Sequence, residues 1–479
     1  MNIVIIVADT ARMEVAQEIF GTSGWAADAT QYTNTFAAAP WSLPSHASLF
    51  TGTHSSKHGA HADHKELSTD PITLAEIFTS EGYETVGVSN NTWISSEFGF
   101  DRGFDLFHKS WQYVQTDTDL GEIARMEMGT DKVLAAIQTL MDGNPFANVT
   151  NALYGKFLRK NNDYGAKATN DWLEGWLESR DNTNPFFLFV NYLEPHLEYR
   201  PPEEFAELFL PDETTYSDAM DIPQDAWAYI AGKTAISEQE FEILRALYRA
   251  ELAYLDYRLG ELKTMLEDAG EWEDTVFVVT GDHGENIGDH GLMDHQYCLY
   301  DTLLHVPLTI TGGAFSGGGK CDRLIQLTDL APTLLDVAGI DAPSARKQFQ
   351  GTSFHPQADR EEREYVIGEY MAPQPTMDAL EQRVGELSAD VYTYDRSLRS
   401  IRSNEYKFIR GSDGSRELYD IDTDPAEQQD ILDANGAIAD ELESELDSWV
   451  ESFEHADSSG TTSMTQSTKE RLEDLGYLQ

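Results

Sequence analysis

Four short strand-like runs constrain this chain more than any other feature. They are Asn2 to Ala8, Thr85 to Ser89, Pro185 to Tyr192 and Thr275 to Thr280. They are dominated by apolar residues rather than alternating with polar ones, so both faces of each strand must be covered. Between them, Thr73 to Glu81 reads as helical and is followed by a turn at Gly82. Glu240 to Ala269 carries apolar residues at helical spacing and stops at Gly270. Strands alternating with helices predict an α/β chain with a mostly parallel central sheet flanked by helices.

Each run delivers polar residues at its carboxyl end, the edge of an open α/β sheet where ligands collect. The residues are Asp9-Thr10, Asn90-Asn91, Glu194-Pro195-His196 and Gly281-Asp282-His283-Gly284-Glu285. Asp9 and Asp282 taken singly could each cap a turn or a helix. Together with His283 they form a donor set without thiolate. With a serine oxygen added, that set suits one divalent cation: Ca²⁺, Mg²⁺ or Mn²⁺.

The serine comes from Ala38 to His58, where Ser42, Pro44, Ser45 and His46 lie close together and Thr51-Gly52 closes the segment. Pro44 cannot donate to a strand ladder, so a strand-like approach is expected to stop there, with a helix starting at Ser45 as its N-cap. A hydroxyl ahead of a helix N-terminus faces unpaired N–H groups, a position that favours a tetrahedral anion. The plain alternative is a serine-rich loop entering an ordinary helix. Beyond it, His196 and His295 are candidate acids for a leaving group, His46 a candidate anion contact, and Asn90 and Gln296 candidate substrate-binding residues. His58 and His61 are expected to face solvent. Cys298 and Cys321 have no metal-type spacing and read as small buried hydrophobes.

Charge narrows the partners. The 479 residues carry 84 acidic and 33 basic side chains, a net charge of -51. The acids are spread through the chain rather than gathered in a tail. Such a surface stays hydrated where salt screens its self-repulsion, which points to a halophilic source and against nucleic acid as a partner. Neither a signal peptide nor a long apolar span is visible, so a cytoplasmic protein with no membrane partner is expected. Asn148-Val149-Thr150 matches a glycosylation triplet.

Two domains are expected, 1–340 as the catalytic α/β domain and 341–479 as a small subdomain, with the boundary near Gly339 to Gln350. In the second, Glu364 to Gly368, Ser400 to Ile409 and Glu417 to Asp420 read as strands of a small antiparallel sheet before an acidic tail. Residues 111–180 read as mostly helical and polar, an insertion that could cover the site.

The order Ser-x-Pro-Ser-x-x-x-x-x-Thr-Gly from Ser42 to Gly52 resembles the sulfatase signature. Other segments resemble that family in family order. They are Y-L-E-P-H at Tyr192 to His196, D-H-G-E at Asp282 to Glu285, L-Y-x-x-x-L-H-V-P at Leu299 to Pro307 and L-T-D-L-A-P-T-L-L at Leu327 to Leu335. I-R-S-N-E-Y-K-F-I at Ile401 to Ile409 and E-L-Y-D-I-D-T-D-P-A-E at Glu417 to Glu427 continue the likeness. The resemblance implies an alkaline-phosphatase-superfamily fold, metal ligands at Asp9, Asp282 and His283, and a nucleophile at Ser42, used as such or as formylglycine. It places the substrate-binding histidine on or near His196.

The chain departs from the family at several positions. Asp9 is followed by Thr10 where a second acid is frequent, and His46 stands where the family has Arg. V-S-N-N-T-W replaces the G-K-W-H loop, and Gln296 replaces a Lys, with His295 beside it. The leading expectation is a metal-dependent hydrolase of sulfate esters on small molecules or glycans. Hydrolysis of phosphate esters or phosphonates by unmodified Ser42, a non-catalytic anion or glycan binder, and a metal-dependent isomerase are the alternatives.

Overall fold

The computed structural model describes residues 1–111, 163–181, 183–358 and 362–456. Most of the stretch 111–180, the triplet at Asn148 and the acidic tail lie outside them.

The four expected runs form β1 (Asn2–Ala8), β3 (Glu84–Ser89), β5 (Phe186–Tyr192) and β6 (Thr275–Gly281). The main sheet is completed by β2 (Thr30–Phe36), β4 (Leu106–Lys109), β9 (His305–Thr311), β10 (Gly319–Cys321) and β11 (Ile325–Gln326). A separate two-stranded ribbon pairs β7 (Asn286–Ile287) with β8 (Met293–Asp294). The nine-stranded sheet runs β10-β2-β9-β6-β1-β5-β3-β4, with β11 also on β2. Every pairing is parallel except those of β9 with β2 and β6. Every residue of β1, β5 and β6 is buried, which explains why these strands read as apolar runs.

Two strands have no such run. T-Q-Y-T-N-T-F of β2 lies toward one end of the sheet, half-exposed, and carries no apolar signal. β9 contains Pro307, which argues against a strand, yet the β2–β9 register shifts between Tyr32 and Thr35, opposite that part of β9.

The helices follow their caps. Thr73 and Glu76 form a capping box on Leu74–Ser80, and Ser237 and Glu240 form one on the long helix Glu238–Asp268. The serine segment differs from expectation. Its helix is Ser42–Thr51, with Trp41 rather than Ser45 at the N-cap. Pro44 falls in the first turn, where its missing N–H costs no helical bond. Gly52 ends the helix at φ 64, and a Cβ there would lie 2.6 Å from the Phe349 ring.

His58 and His61 are also corrected: both are buried, because Ser55–His58 packs against the helix Ser42–Thr51 and against the second sheet. Cys298 is buried beside Leu292 and Leu303, whereas Cys321 is half-buried.

That second sheet is antiparallel: β12 (Val366–Tyr370), β13 (Leu398–Arg402), β14 (Tyr406–Gly411) and β15 (Arg416–Asp420). Its alternation serves two cores. Val366, Leu398, Ile409 and Tyr419 join the main core, while Ile367, Ile401, Phe408 and Leu418 pack with the helix Gly436–Glu451.

Candidate metal centre and active site

Sheet register assembles the site. Ala8 pairs with Gly281 on one side and Tyr192 on the other, so Asp9 and Asp282 both stand one residue past adjacent strand ends. Thr10 then turns the chain at φ 62, held by its N–H on Asp282 Oδ1 (3.1 Å) and by the Tyr248 hydroxyl on its carbonyl (2.7 Å).

Asp9, Asp282 and His283 are fully buried, with one ligand atom of each within 4.8 Å of the others. His283 Nε2 lies 3.9 Å from Asp9 Oδ1 and 3.4 Å from Asp282 Oδ2. His283 Nδ1 donates to the Gly284 carbonyl at 2.9 Å, so Nε2 keeps a lone pair. Asp282 Oδ1 accepts two backbone N–H groups, while Oδ2 has no hydrogen-bond partner among the described residues. Burial, then the charge of Asp9, pushes Asp282 well above the usual carboxylate range. Burial, then His295, pushes His283 well below the usual imidazole value. Two carboxylates in need of a positive charge beside a neutral imidazole fit a divalent cation.

Ser42 Oγ stands 3.4 Å from Asp9 Oδ1 and 3.3 Å from His283 Nε2. Ser45 does not cap. Its hydroxyl donates to the Asp282 carbonyl at 2.6 Å and ties the helix to the end of β6. His46 lies beneath the helix, its Nδ1 donating to the Ser42 carbonyl at 2.9 Å and lying 3.4 Å from Asp282 Oδ2. Burial holds His46 down at about 4, hence neutral.

Asn91, which the sequence places at a strand end without a role, is a site residue. Its amide donates to Asp9 Oδ2 (2.6 Å) and Ser42 Oγ (3.0 Å), while its Oδ1 accepts the Trp93 N–H (2.9 Å). That last bond fixes which end of the amide faces the serine. Asn90 instead accepts the Thr169 hydroxyl at 2.8 Å. Adjacent residues at a strand end point opposite ways, so the pair could not be resolved without the structure. Asn191 is a site residue that sequence reasoning missed; its amide donates to Asp9 Oδ2 at 3.3 Å. The available signal was a polar residue inside an apolar strand.

A second buried group adjoins the first. His295 Nδ1 lies 2.5 Å from Asp294 Oδ1 and 3.3 Å from Glu285 Oε1. The His295 ring is 4.5 Å from that of His283 and 5.3 Å from that of His196. Burial alone would lower His295; Asp294 and Glu285 outweigh it and hold the imidazole well above its usual value. Gln296 donates to Asp294 Oδ2 at 2.6 Å. Burial lowers His196, whose Nδ1 donates to the Leu197 carbonyl.

The family model described as sulfatase matches residues 1–340. A protein named sulfatase from Formosa agariphila is 24% identical over 432 residues, covering 84% of this chain and 76% of that protein. One similar solved structure holds D-glucosamine-2-N,6-O-disulfate, described as its substrate. It aligns with TM-score 0.65 and 21% identity over 94% of this chain and 97% of that one. The phosphonate monoester hydrolase of Agrobacterium radiobacter aligns with TM-score 0.65 and 18% identity over 94% and 95%.

Proposed function

The chain belongs to the sulfatase family, and from that premise we propose that it hydrolyses sulfate esters with Ser42, or its formylglycine form, as nucleophile. The observation that carries this reading is the convergence of Ser42 Oγ, Asp9, Asp282 and His283 within one buried site. Asp9, Asp282 and His283 would hold one divalent cation, which supplies positive charge beside the ester and lowers the pKa of a neighbouring hydroxyl. Asn91 orients Ser42 Oγ by donating to it, and Asp9 Oδ1, 3.4 Å away, is a carboxylate oxygen that can accept the serine proton when His283 Nε2 is turned to the cation. His295, with Nδ1 committed to Asp294 and Glu285, carries a second proton on Nε2 that it can give to the leaving oxygen. His196 binds beside it. Residues 1–340 carry this chemistry, and 341–479 form a bracing subdomain in which Glu369 accepts the Ser56 N–H at 2.8 Å. The substrates are small-molecule or glycan sulfates in a salt-rich cytoplasm.

A second reading is phosphoester or phosphonate hydrolysis by unmodified Ser42. His46 in place of the family's Arg and the likeness to a phosphonate monoester hydrolase favour it. Nitrophenyl sulfate, nitrophenyl phosphate and a phenylphosphonate ester, each supplied in molar KCl, separate the two by which is turned over fastest. Turnover of none, with metal bound, overturns both and leaves an anion binder. A mass loss of about 2 Da in the Ser42 peptide, two hydrogens, reports formylglycine.

A further inference from the structure

Two fully buried glutamates, Glu194 and Glu251, lie close enough for the charge of Glu194 to act on Glu251, and no basic side chain pairs with either among the described residues. Glu194 Oε1 accepts the N–H groups of Tyr164 (3.0 Å) and Ala166 (3.1 Å), at the N-terminus of the helix Ala166–Ser179. Glu251, on the helix Glu238–Asp268, uses its Oε1 to accept the Arg200 N–H at 2.8 Å. The other carboxylate oxygen of each, Glu194 Oε2 and Glu251 Oε2, is buried with no hydrogen-bond partner among the described residues.

Hydrogen bonds close a circuit around this pair. The Tyr164 hydroxyl donates to the Glu198 carbonyl, two residues from Arg200. Asp163, next to Tyr164, accepts the hydroxyl of Tyr254, which lies one helical turn after Glu251. The basic groups of these elements are all engaged elsewhere. Arg200 reaches Glu198, Arg258 reaches Glu261 and Lys167 reaches Asp171.

We propose that the oxygens Glu194 Oε2 and Glu251 Oε2 grip a second, structural cation of the calcium class, distinct from the one at Asp9, Asp282 and His283. Two buried carboxylates without a counter-charge are strongly unfavourable. Backbone N–H groups on their other oxygens, and the helix N-terminus at Glu194, work against added protons but do not outweigh burial by themselves, so a cation is the partner that keeps both ionised. Two anionic oxygens and no nitrogen or sulfur select a hard cation. Without that cation, burial and then Asp163 push Glu194 up to about 8, and burial and then Glu194 push Glu251 up. The bound ion ties the His196 loop to two helices, and this assignment does not depend on which ester is cleaved.

The test uses the full chain stripped with chelator and refilled with Ca²⁺ or Tb³⁺. The Asp282→Asn protein, with its first site disabled, should still bind one equivalent by elemental mass spectrometry. It should also show Tb³⁺ emission sensitised by Tyr164 and Tyr254. Adding Glu251→Gln should cut that emission at least tenfold. If the double variant does not fold, excess Ca²⁺ quenching Tb³⁺ emission in the single variant supports the site. No bound ion and no sensitised emission in a folded Asp282→Asn protein would overturn the proposal. So would emission unchanged by Glu251→Gln.

Discussion

His283 and His295 are both buried, their rings are 4.5 Å apart, and each stands beside two carboxylates, yet they end in opposite charge states. Around His283 the nearest carboxylate oxygens stay 3.4 and 3.9 Å away, neither is hydrogen-bonded to its ring, and among the described residues one of them, Asp282 Oδ2, has no hydrogen-bond partner. Around His295 the Asp294 oxygen is in contact at 2.5 Å. The first spacing leaves room for a cation and keeps the imidazole neutral; the second is bridged by a proton and keeps it charged. Residue types and burial are closely alike, so the distance to the carboxylates, together with the charge of His295 acting on His283, decides between ligand and acid.

The most drastic way to break the comparison is to remove the charge that the cation answers. Asp282→Asn should lose one of the two proposed metal equivalents together with turnover, and Ser42→Ala should lose turnover while keeping both. Each loss should be about 10⁴-fold or more, as for other nucleophiles and ligands acting in concert, read from kcat and metal content on the same samples. Two equivalents retained in Asp282→Asn would mean that the two histidine clusters have been assigned the wrong way round.

Asp294→Asn attacks the other half. Asparagine tolerates the φ of 72 at this position, so the loop should hold. Turnover should fall by about 10- to 100-fold, the size of a lost proton donor, with metal content unchanged. A parallel loss of metal would show that His295 belongs to the cation rather than to the leaving group.

His58 supplies a control with burial but, among the described residues, no carboxylate in contact, its Nε2 3.1 Å from Ser48 Oγ. Burial, then His54 and His61, lowers it from 6.5 to about 3. Between those values the unfolded chain takes up a proton that the native state refuses, so stability rises with pH and falls on acidification. The slope from this group is at most about 1.4 kcal/mol per pH unit. Denaturant titrations from pH 7 to 5 should show it, and His58→Gln should flatten it; an unchanged slope would mean that other groups carry the acid sensitivity.

The smallest per-site effect belongs to the surface. Exposed carboxylates repel through water that salt screens, unlike the two buried clusters. From the net charge of -51, the melting midpoint should climb from low to molar KCl, and a falling midpoint would refute the halophilic reading.

The sequence by itself determined the sheet and the edge where chemistry collects. Strands buried on both faces must be apolar throughout, and that pattern survives without a structure. It also supplied Asp9, Ser42, Asp282 and His283, each by its position relative to a strand end or a helix start. Only the tertiary structure decided the rest. Asn91 rather than Asn90 reaches Ser42 because side-chain direction flips with each residue. His58 is buried because a distant sheet covers it. Glu285 meets His295 ten residues away, and Glu194 shares a region with Glu251 across two elements. Spacing between side chains far apart in sequence sets their charge, and one-dimensional order does not carry that distance.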